Sequence, residues 1–264
     1  MTTPSTPRSL CLLTGASSGI GHAMAHALAR RGIDLILVAR RRDRLEALAA
    51  TLQATHGITA HVRPADLSDP VNAEALYRGL CAEGLTPDLL VNNAGMGIHG
   101  SFATTDLEAE LRMMQLNMGS LTVLTKLALA DMRAAGRGRI MNLASLVAFW
   151  PFPRFAVYAA TKAYVLSFSE ALRGELAGTG ITLTTLCPGT ADTEFTTPAM
   201  AATNAYAANP PMDPSVIAER GVKALLAGEG TVVVGWRNQL IAGTPRFTPR
   251  ALMVRITGHL SSAR

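Results

Sequence analysis

Short apolar runs alternate along the chain with longer segments of helical period. Residues 10–13, 34–39, 61–66, 88–92, 139–143, 181–186 and 231–235 each read as a strand, most of them bounded by glycine or polar turn residues. Between them lie predicted helices at 19–31, 43–55, 70–83, 107–135, 156–177 and 215–227. The first carries Ile20, Met24 and Leu28 on one stripe and stops at Gly32. The fourth is interrupted by Asn117 and Gly119. Strands that are apolar on both faces and separated by helices predict a parallel sheet covered on both sides. Right-handed crossovers then make the fold an α/β class, doubly wound, Rossmann-like arrangement with seven parallel strands flanked by helices on both faces. No repeat or composition shift divides the chain, so residues 1–264 read as one domain.

Composition adds to this picture mainly by exclusion. Hydrophobic residues make up 48% of the 264 positions and charged residues only 16%, below the usual ~25%. Extensive burial follows, including contacts between subunits, so a homo-dimer or homo-tetramer is expected. The net charge of +5 is scattered, with clusters only at residues 40–44 and in the last thirty positions, which argues against a nucleic-acid partner. Cys11, Cys81 and Cys187 are odd in number, far apart and without metal-ligand spacing. They predict reduced thiols, no metal and a cytoplasmic location, with Cys11 and Cys187 buried in strands. The polar start, Met1 to Ser9, lacks the apolar core of a signal peptide, and no run of about eighteen apolar residues occurs.

Candidate chemistry begins at the first strand–helix turn, Thr14-Gly15-Ala16-Ser17-Ser18-Gly19-Ile20-Gly21. Three glycines allow a tight turn and close backbone approach to a pyrophosphate, which the free N–H groups of a helix N-terminus would receive. The pattern alone also fits an ordinary tight turn; its place on the first strand–turn–helix unit favours a dinucleotide. The second strand ends Val38-Ala39-Arg40 with no carboxylate. An acidic residue there would bind the ribose hydroxyl of NAD. Arg40, helped by Ser17, would instead pair with a 2′-phosphate, so NADP(H) is the expected cofactor. Asp66 and Leu67 follow the third strand and are candidates to receive adenine; Asn93, Ala94 and Gly95 follow the fourth, where the cofactor must pass close to backbone.

Tyr158 and Lys162 lie four residues apart on one helix face, and Ser145 ends the preceding strand. An ammonium beside a phenol favours the phenolate and suits proton transfer. With these residues in place, the chain resembles the short-chain dehydrogenase/reductase family in its single-domain, NADP-preferring form. The match rests on Thr14 to Gly21, Asn92 to Gly95, Asn117, Ser145, Tyr158 with Lys162, and Pro188-Gly189 followed by Thr193, in family order over about residues 8–235. The resemblance implies that Tyr158 is the general acid or base and that Lys162 lowers its pKa and holds the nicotinamide ribose. It further implies that Ser145 binds the substrate oxygen and that Asn117 positions a water leading from Lys162 to solvent. Pro188, Gly189 and Thr193 would bracket the nicotinamide. The implied activity is reduction of a ketone or aldehyde, reversibly oxidising an alcohol.

On the substrate side, Phe149, Phe152 and Phe155 cluster with Trp150 in a chain of 5% aromatics. They read either as core packing or, with Met96, as an apolar wall for a small-molecule carbonyl substrate. Residues 190–213 lack periodicity and are expected to form a mobile lid. The extension 237–264 carries Arg237, Arg246, Arg250, Arg255 and Arg264 without an acidic residue, and Leu252, Met253, Ile256 and Leu260 suggest an apolar stripe. Docking onto its own domain or a neighbouring subunit is the favoured reading over a membrane surface. A catalytically weak NADP-binding regulatory protein, or a related epimerase or dehydratase, are the alternatives to a reductase.

Overall fold

The computed structural model describes residues 8–262. Seven parallel strands form one sheet in the order β3-β2-β1-β4-β5-β6-β7. They are β1 (Leu10–Thr14), β2 (Asp34–Ala39), β3 (Ala60–Pro64), β4 (Leu89–Asn92), β5 (Gly138–Leu143), β6 (Ile181–Cys187) and β7 (Thr231–Val233). Side chains on a strand alternate between faces, and the core divides accordingly. Cys11, Leu13, Leu35 and Leu37 enter one core, beneath helices α1 (Gly19–Ala29) and α2 (Arg42–His56). Leu12, Ile36, Val38 and Leu90 enter the other, beneath α3 (Pro70–Ala82) and a long helical stretch described below. Every residue between the first and last of β1 and β2 is buried, which explains their unbroken apolar reading. The expected fold class is therefore the observed one.

The expected helix over 107–135 is three pieces in the structure: α4 (Leu107–Met114), a wider π-helical turn at Gln115–Ser120, and α5 (Leu121–Ala135). The interruption falls on Asn117 and Gly119. Helix α6 (Ala156–Glu175) follows β5. The region 190–213 departs from a plain loop: it folds two short helices, α7 (Pro198–Ala201) and α8 (Asn204–Ala208), each started by a threonine side chain accepting a backbone amide. Helix α9 (Pro214–Ala227) then returns to β7, which ends at Val233 rather than Gly235 because Gly235, at φ 90°, turns the chain into α10 (Trp236–Gly243).

The C-terminal extension docks onto its own chain. Helix α11 (Arg250–Ser261) donates the Thr257 hydroxyl to Pro151 C=O (2.7 Å), and its Ser261 carbonyl meets His99 Nε2 at 3.0 Å. The predicted stripe is only half right: Met253 is buried and Leu260 faces a cleft, whereas Leu252 and Ile256 are exposed. Arg264 lies outside the described residues. Among the described residues no helix is long and apolar enough to cross a membrane, and no cluster of metal-ligating side chains occurs. Cys11 and Cys187 are buried, as expected.

One polar clasp ties the strand ends together. The Thr14 hydroxyl accepts the backbone amides of both Asn93 and Ala94 (3.0 Å each), and Asn93 Nδ2 donates back to Thr14 C=O (2.9 Å). Replacing the hydroxyl by a methyl strands two half-buried donors, at roughly 1–3 kcal/mol per unsatisfied buried group. Thr14→Val is therefore expected to lower the denaturation midpoint clearly, and Thr14→Ser, which keeps the acceptor, much less.

Candidate active site

The carboxyl ends of β1, β4, β5 and β6 open into a cleft of about 710 Å³. Strand order reverses between β1 and β4, and such a switch point is where connections part and leave a crevice. One half of the cleft is lined by the glycine turn. Helix α1 starts at Ser18 with no side-chain cap, so the first-turn amides of Gly19, Ile20 and Gly21 remain as donors at a positive helix end. Gly21 is indispensable there, since a Cβ would be driven into the Gly15 carbonyl oxygen. Ser17, Arg40, Asp66, Leu67, Asn93, Ala94 and Gly95 line the same half.

Arg41, which the sequence did not single out, is the arginine that meets Ser17, donating from Nη2 to Oγ at 3.2 Å. Arg40 is exposed and contributes to holding the Asp66 carboxyl below its ordinary pKa, an effect led by the hydrogen bonds from Ser68. The sequence signal for Arg41 was the arginine run itself; which member would turn inward depends on how α2 begins.

The other half gathers Ser145, Tyr158 and Lys162, all buried. Backbone bonds from Ala144 N–H to Leu186 C=O (2.9 Å) and Leu146 N–H to Pro188 C=O (2.8 Å) prolong the β5–β6 pairing past the strands. They fix Ser145 beside Pro188 and Gly189. Lys162 Nζ donates to Leu143 C=O (2.8 Å) and lies 6.0 Å from the Tyr158 ring centroid. Asn117 is 1% exposed and its carboxamide is fully engaged. Nδ2 donates to Met96 C=O (2.9 Å) and Thr161 Oγ1 (3.0 Å), and Oδ1 accepts Met96 N–H (3.1 Å). That pairing pins the π-helical turn to α6 and to the loop after β4.

The electrostatics differ from the expected lysine-depressed phenol. Burial pushes the Tyr158 hydroxyl up to about 12, with Ser145 acting in the opposite direction. Burial likewise pulls Lys162 down to about 8, only partly offset by Cys187. Removal from water penalises whichever form is charged, and burial is the leading cause at both groups. Between pH 8 and 10.5, its ordinary value, Lys162 has shed its proton in the folded chain while the unfolded chain still holds it. Stability from this group therefore rises with pH across that window and is reduced below it. Lys162→Met, which removes a buried cation lacking a carboxylate partner, is expected to be at least as stable as the parent at pH 7 and to lose this increment; denaturation curves of both chains at pH 7 and 10 test it.

The aromatic cluster divides. Phe152 and Phe155 line the cleft, edge to face with centroids 5.7 Å apart, joined by Met96 and Trp150. Phe149, expected on the same wall, is not among the residues lining the cleft: half-buried, it packs against the buried group of Leu121, Ala148 and Val165. It closes a short 3-10 helix, Leu146–Phe149, whereas Phe152 and Phe155 follow that turn. Sequence reading also missed Phe195, whose ring stands 5.6 Å from Tyr158, and Ile241 and Leu260, brought to the cleft from the C-terminal helices. His99 packs against Phe155, ring centroids 4.7 Å apart and tilted by 51°. Thr193 also lines the cleft.

Comparison with known proteins places these features in context. Residues 9–204 match the family described as short chain dehydrogenase. Sulfoacetaldehyde reductase of Chromohalobacter salexigens is 40% identical over 187 residues, 70% of this chain and 73% of that protein. A short-chain dehydrogenase from Sphingobium yanoikuyae, solved in complex with NADPH, superposes with a TM-score of 0.80 at 32% identity over 90% of this chain and 93% of that one. The bulky-bulky ketone specific alcohol dehydrogenase of Comamonas testosteroni gives 0.77 at 30% identity, over 93% and 97%. Family order of motifs, strand order and extent of match agree, and this chain belongs to the short-chain dehydrogenase family of oxidoreductases.

Proposed function

We propose that this chain is an NADP(H)-dependent carbonyl reductase acting on an apolar ketone or aldehyde. The observation that carries the reading is the buried Tyr158 hydroxyl, with Ser145 and Lys162, at the junction of a glycine-lined cleft and an aromatic one. The glycine half fits a dinucleotide: backbone amides at an uncapped helix start would hold a pyrophosphate, and Asp66 with Leu67 would receive adenine. Arg40 and Arg41 with Ser17 favour a 2′-phosphate over a bare ribose, in keeping with the NADPH-bound relative. Asn93, Ala94, Gly95, Pro188, Gly189 and Thr193 would border the nicotinamide. That group, when bound, supplies the hydride.

The chain's own residues supply orientation and the proton. A phenol at about 12 is protonated at neutral pH, which suits Tyr158 to give its proton to the carbonyl oxygen. Ser145 would stabilise the charge growing on that oxygen. Lys162, protonated below about 8, stabilises the phenolate left behind and would hold the nicotinamide ribose. Asn117 is read as the residue that keeps the π-helical turn open, leaving backbone carbonyls for a water leading outward from Lys162.

Substrate class follows from the wall. Met96, Trp150, Phe152, Phe155, Phe195 and Leu260 offer apolar surface, and apart from Lys162 the lining away from the nucleotide end has no Lys or Arg among the described residues. A sulfonate would lack a cationic partner there, so the pocket supports a bulky apolar carbonyl, nearer the Comamonas enzyme's ketones than sulfoacetaldehyde.

A panel of ketones and aldehydes followed at the nicotinamide absorbance, with NADPH and NADH, is expected to show NADPH-preferring reduction of aromatic and long-chain members. Tyr158→Phe is expected to cut kcat by at least about 100-fold with little change in thermal midpoint; persistent turnover would falsify the proton-donor role. Reductive kcat/KM should decline above about pH 8 as Lys162 loses its charge, and a profile flat to pH 10 would count against Lys162 as the phenolate's partner.

A further inference from the structure

The segment after Thr193 spans both halves of the cleft within three residues. The Thr193 methyl lies against Gly19 of the nucleotide turn, where an added Cβ would meet it at 3.0 Å. Glu194 reaches toward the start of α2: Oε2 accepts Arg41 Nη1 at 2.9 Å and Oε1 accepts Arg44 Nη1 at 2.7 Å. Phe195 leans on Tyr158 and crowds Gly97, whose Cβ, were there one, would lie 2.7 Å from the ring. One short strap thus joins the arginines at the nucleotide end to the tyrosine at the chemical end.

Arg41 is the shared element. It donates to Glu194 through Nη1 and to Ser17 through Nη2, and Ser17 and Arg41 both line the cleft. A 2′-phosphate is close to a dianion with three acceptor oxygens, and a planar guanidinium binds it through two bonds. A carboxylate brings one charge, and a ribose hydroxyl none. A 2′-phosphate is therefore the stronger partner for a guanidinium than a carboxylate is, whereas a hydroxyl is the weaker one.

Resting on the NADP(H) reading above, we propose that Glu194 senses the cofactor's 2′-phosphate: the phosphate takes Arg41 from it, and Phe195 is thereby released from Tyr158 while Thr193 stays at the nicotinamide end. Cofactor choice and access to the proton donor are then one event. Glu194 is an internal competitor that moderates NADPH affinity and has no purchase on NADH. The arginines hold its carboxyl below the ordinary range, Arg44 first, so the competitor is charged throughout the neutral range. The pairs are solvent-exposed, with side-chain exposures of 40–57%. Exposed pairs contribute modestly and are screened by salt, so the effect is of moderate size and salt-dependent.

The test uses binding, not turnover. Fluorescence titration of wild type and Glu194→Gln with NADPH, NADH, 2′,5′-ADP and ADP is expected to show about two- to five-fold tighter NADPH and 2′,5′-ADP in the variant. NADH and ADP should be unchanged, the gain should shrink at high salt, and Glu194→Asp should fall between. Amide exchange across 194–197 should accelerate when wild type binds 2′,5′-ADP but not ADP, and be fast from the start in Glu194→Gln. Equal NADPH affinity in wild type and variant, or equal changes for NADPH and NADH, overturns the sensor role while leaving the reductase reading intact. Failure of wild type to bind NADPH at all overturns the cofactor reading, and this inference with it.

Discussion

The Thr14 hydroxyl is the point on which the site depends. It accepts the amides of Asn93 and Ala94 and donates to Val91 C=O at 3.3 Å. This holds the turns after β1 and β4 together where the strand order reverses. Parting strands would otherwise leave exposed backbone ends at the switch point. Deeper in the same seam, Asn92 Nδ2 donates to Thr125 Oγ1 (3.0 Å) and to Asn142 Oδ1 (2.9 Å), and Asn142 Nδ2 donates to Ser169 Oγ (3.0 Å). Buried amides paired in this way favour one arrangement of the surrounding elements. They set α5 and α6 against β4 and β5, and the residues of the cleft inherit their positions from that registration.

Burial sets the chemistry of the tyrosine and lysine. Both groups are driven toward their neutral forms, the phenol upward and the ammonium downward. That leaves a proton on Tyr158 and brings Lys162 to the edge of its titration near neutral pH. A buried lysine without a carboxylate is costly to a fold, and here its Nζ is held by the Leu143 carbonyl, directly behind Ser145. Sites whose environments move pKa values in this manner are suited to proton transfer.

Much of this was legible in the linear chain, for identifiable reasons. Strand residues buried on both faces left unbroken apolar runs, and the seven strands were readable to within a few residues. Tyr158 and Lys162 share a helix face, so their spacing alone brings them together. Asn117 marked itself by breaking helical periodicity. The sequence singled out Arg40 from its place at the end of the second strand; both arginines line the cleft, and only the geometry of the α2 start turns Arg41 toward Ser17. Phe149 was indistinguishable from Phe152 and Phe155 by composition, yet it ends a 3-10 turn and packs, half-buried, against the core cluster instead. Glu194 carried no local signal, since its partners lie about 150 positions away.

The sequence by itself determined the layered α/β architecture, the glycine turn and the catalytic spacing, because each is written in local periodicity or in contacts a few residues long. The tertiary structure alone decided how those pieces face one another. It placed α11 and α10 against the aromatic loop, closing the cleft with Ile241 and Leu260. It set the pKa values, which depend on how much water is excluded rather than on neighbours in sequence. It also drew a carboxylate beyond β6 onto arginines beyond β2, a pairing that exists only because the parallel sheet delivers both loops to the same edge.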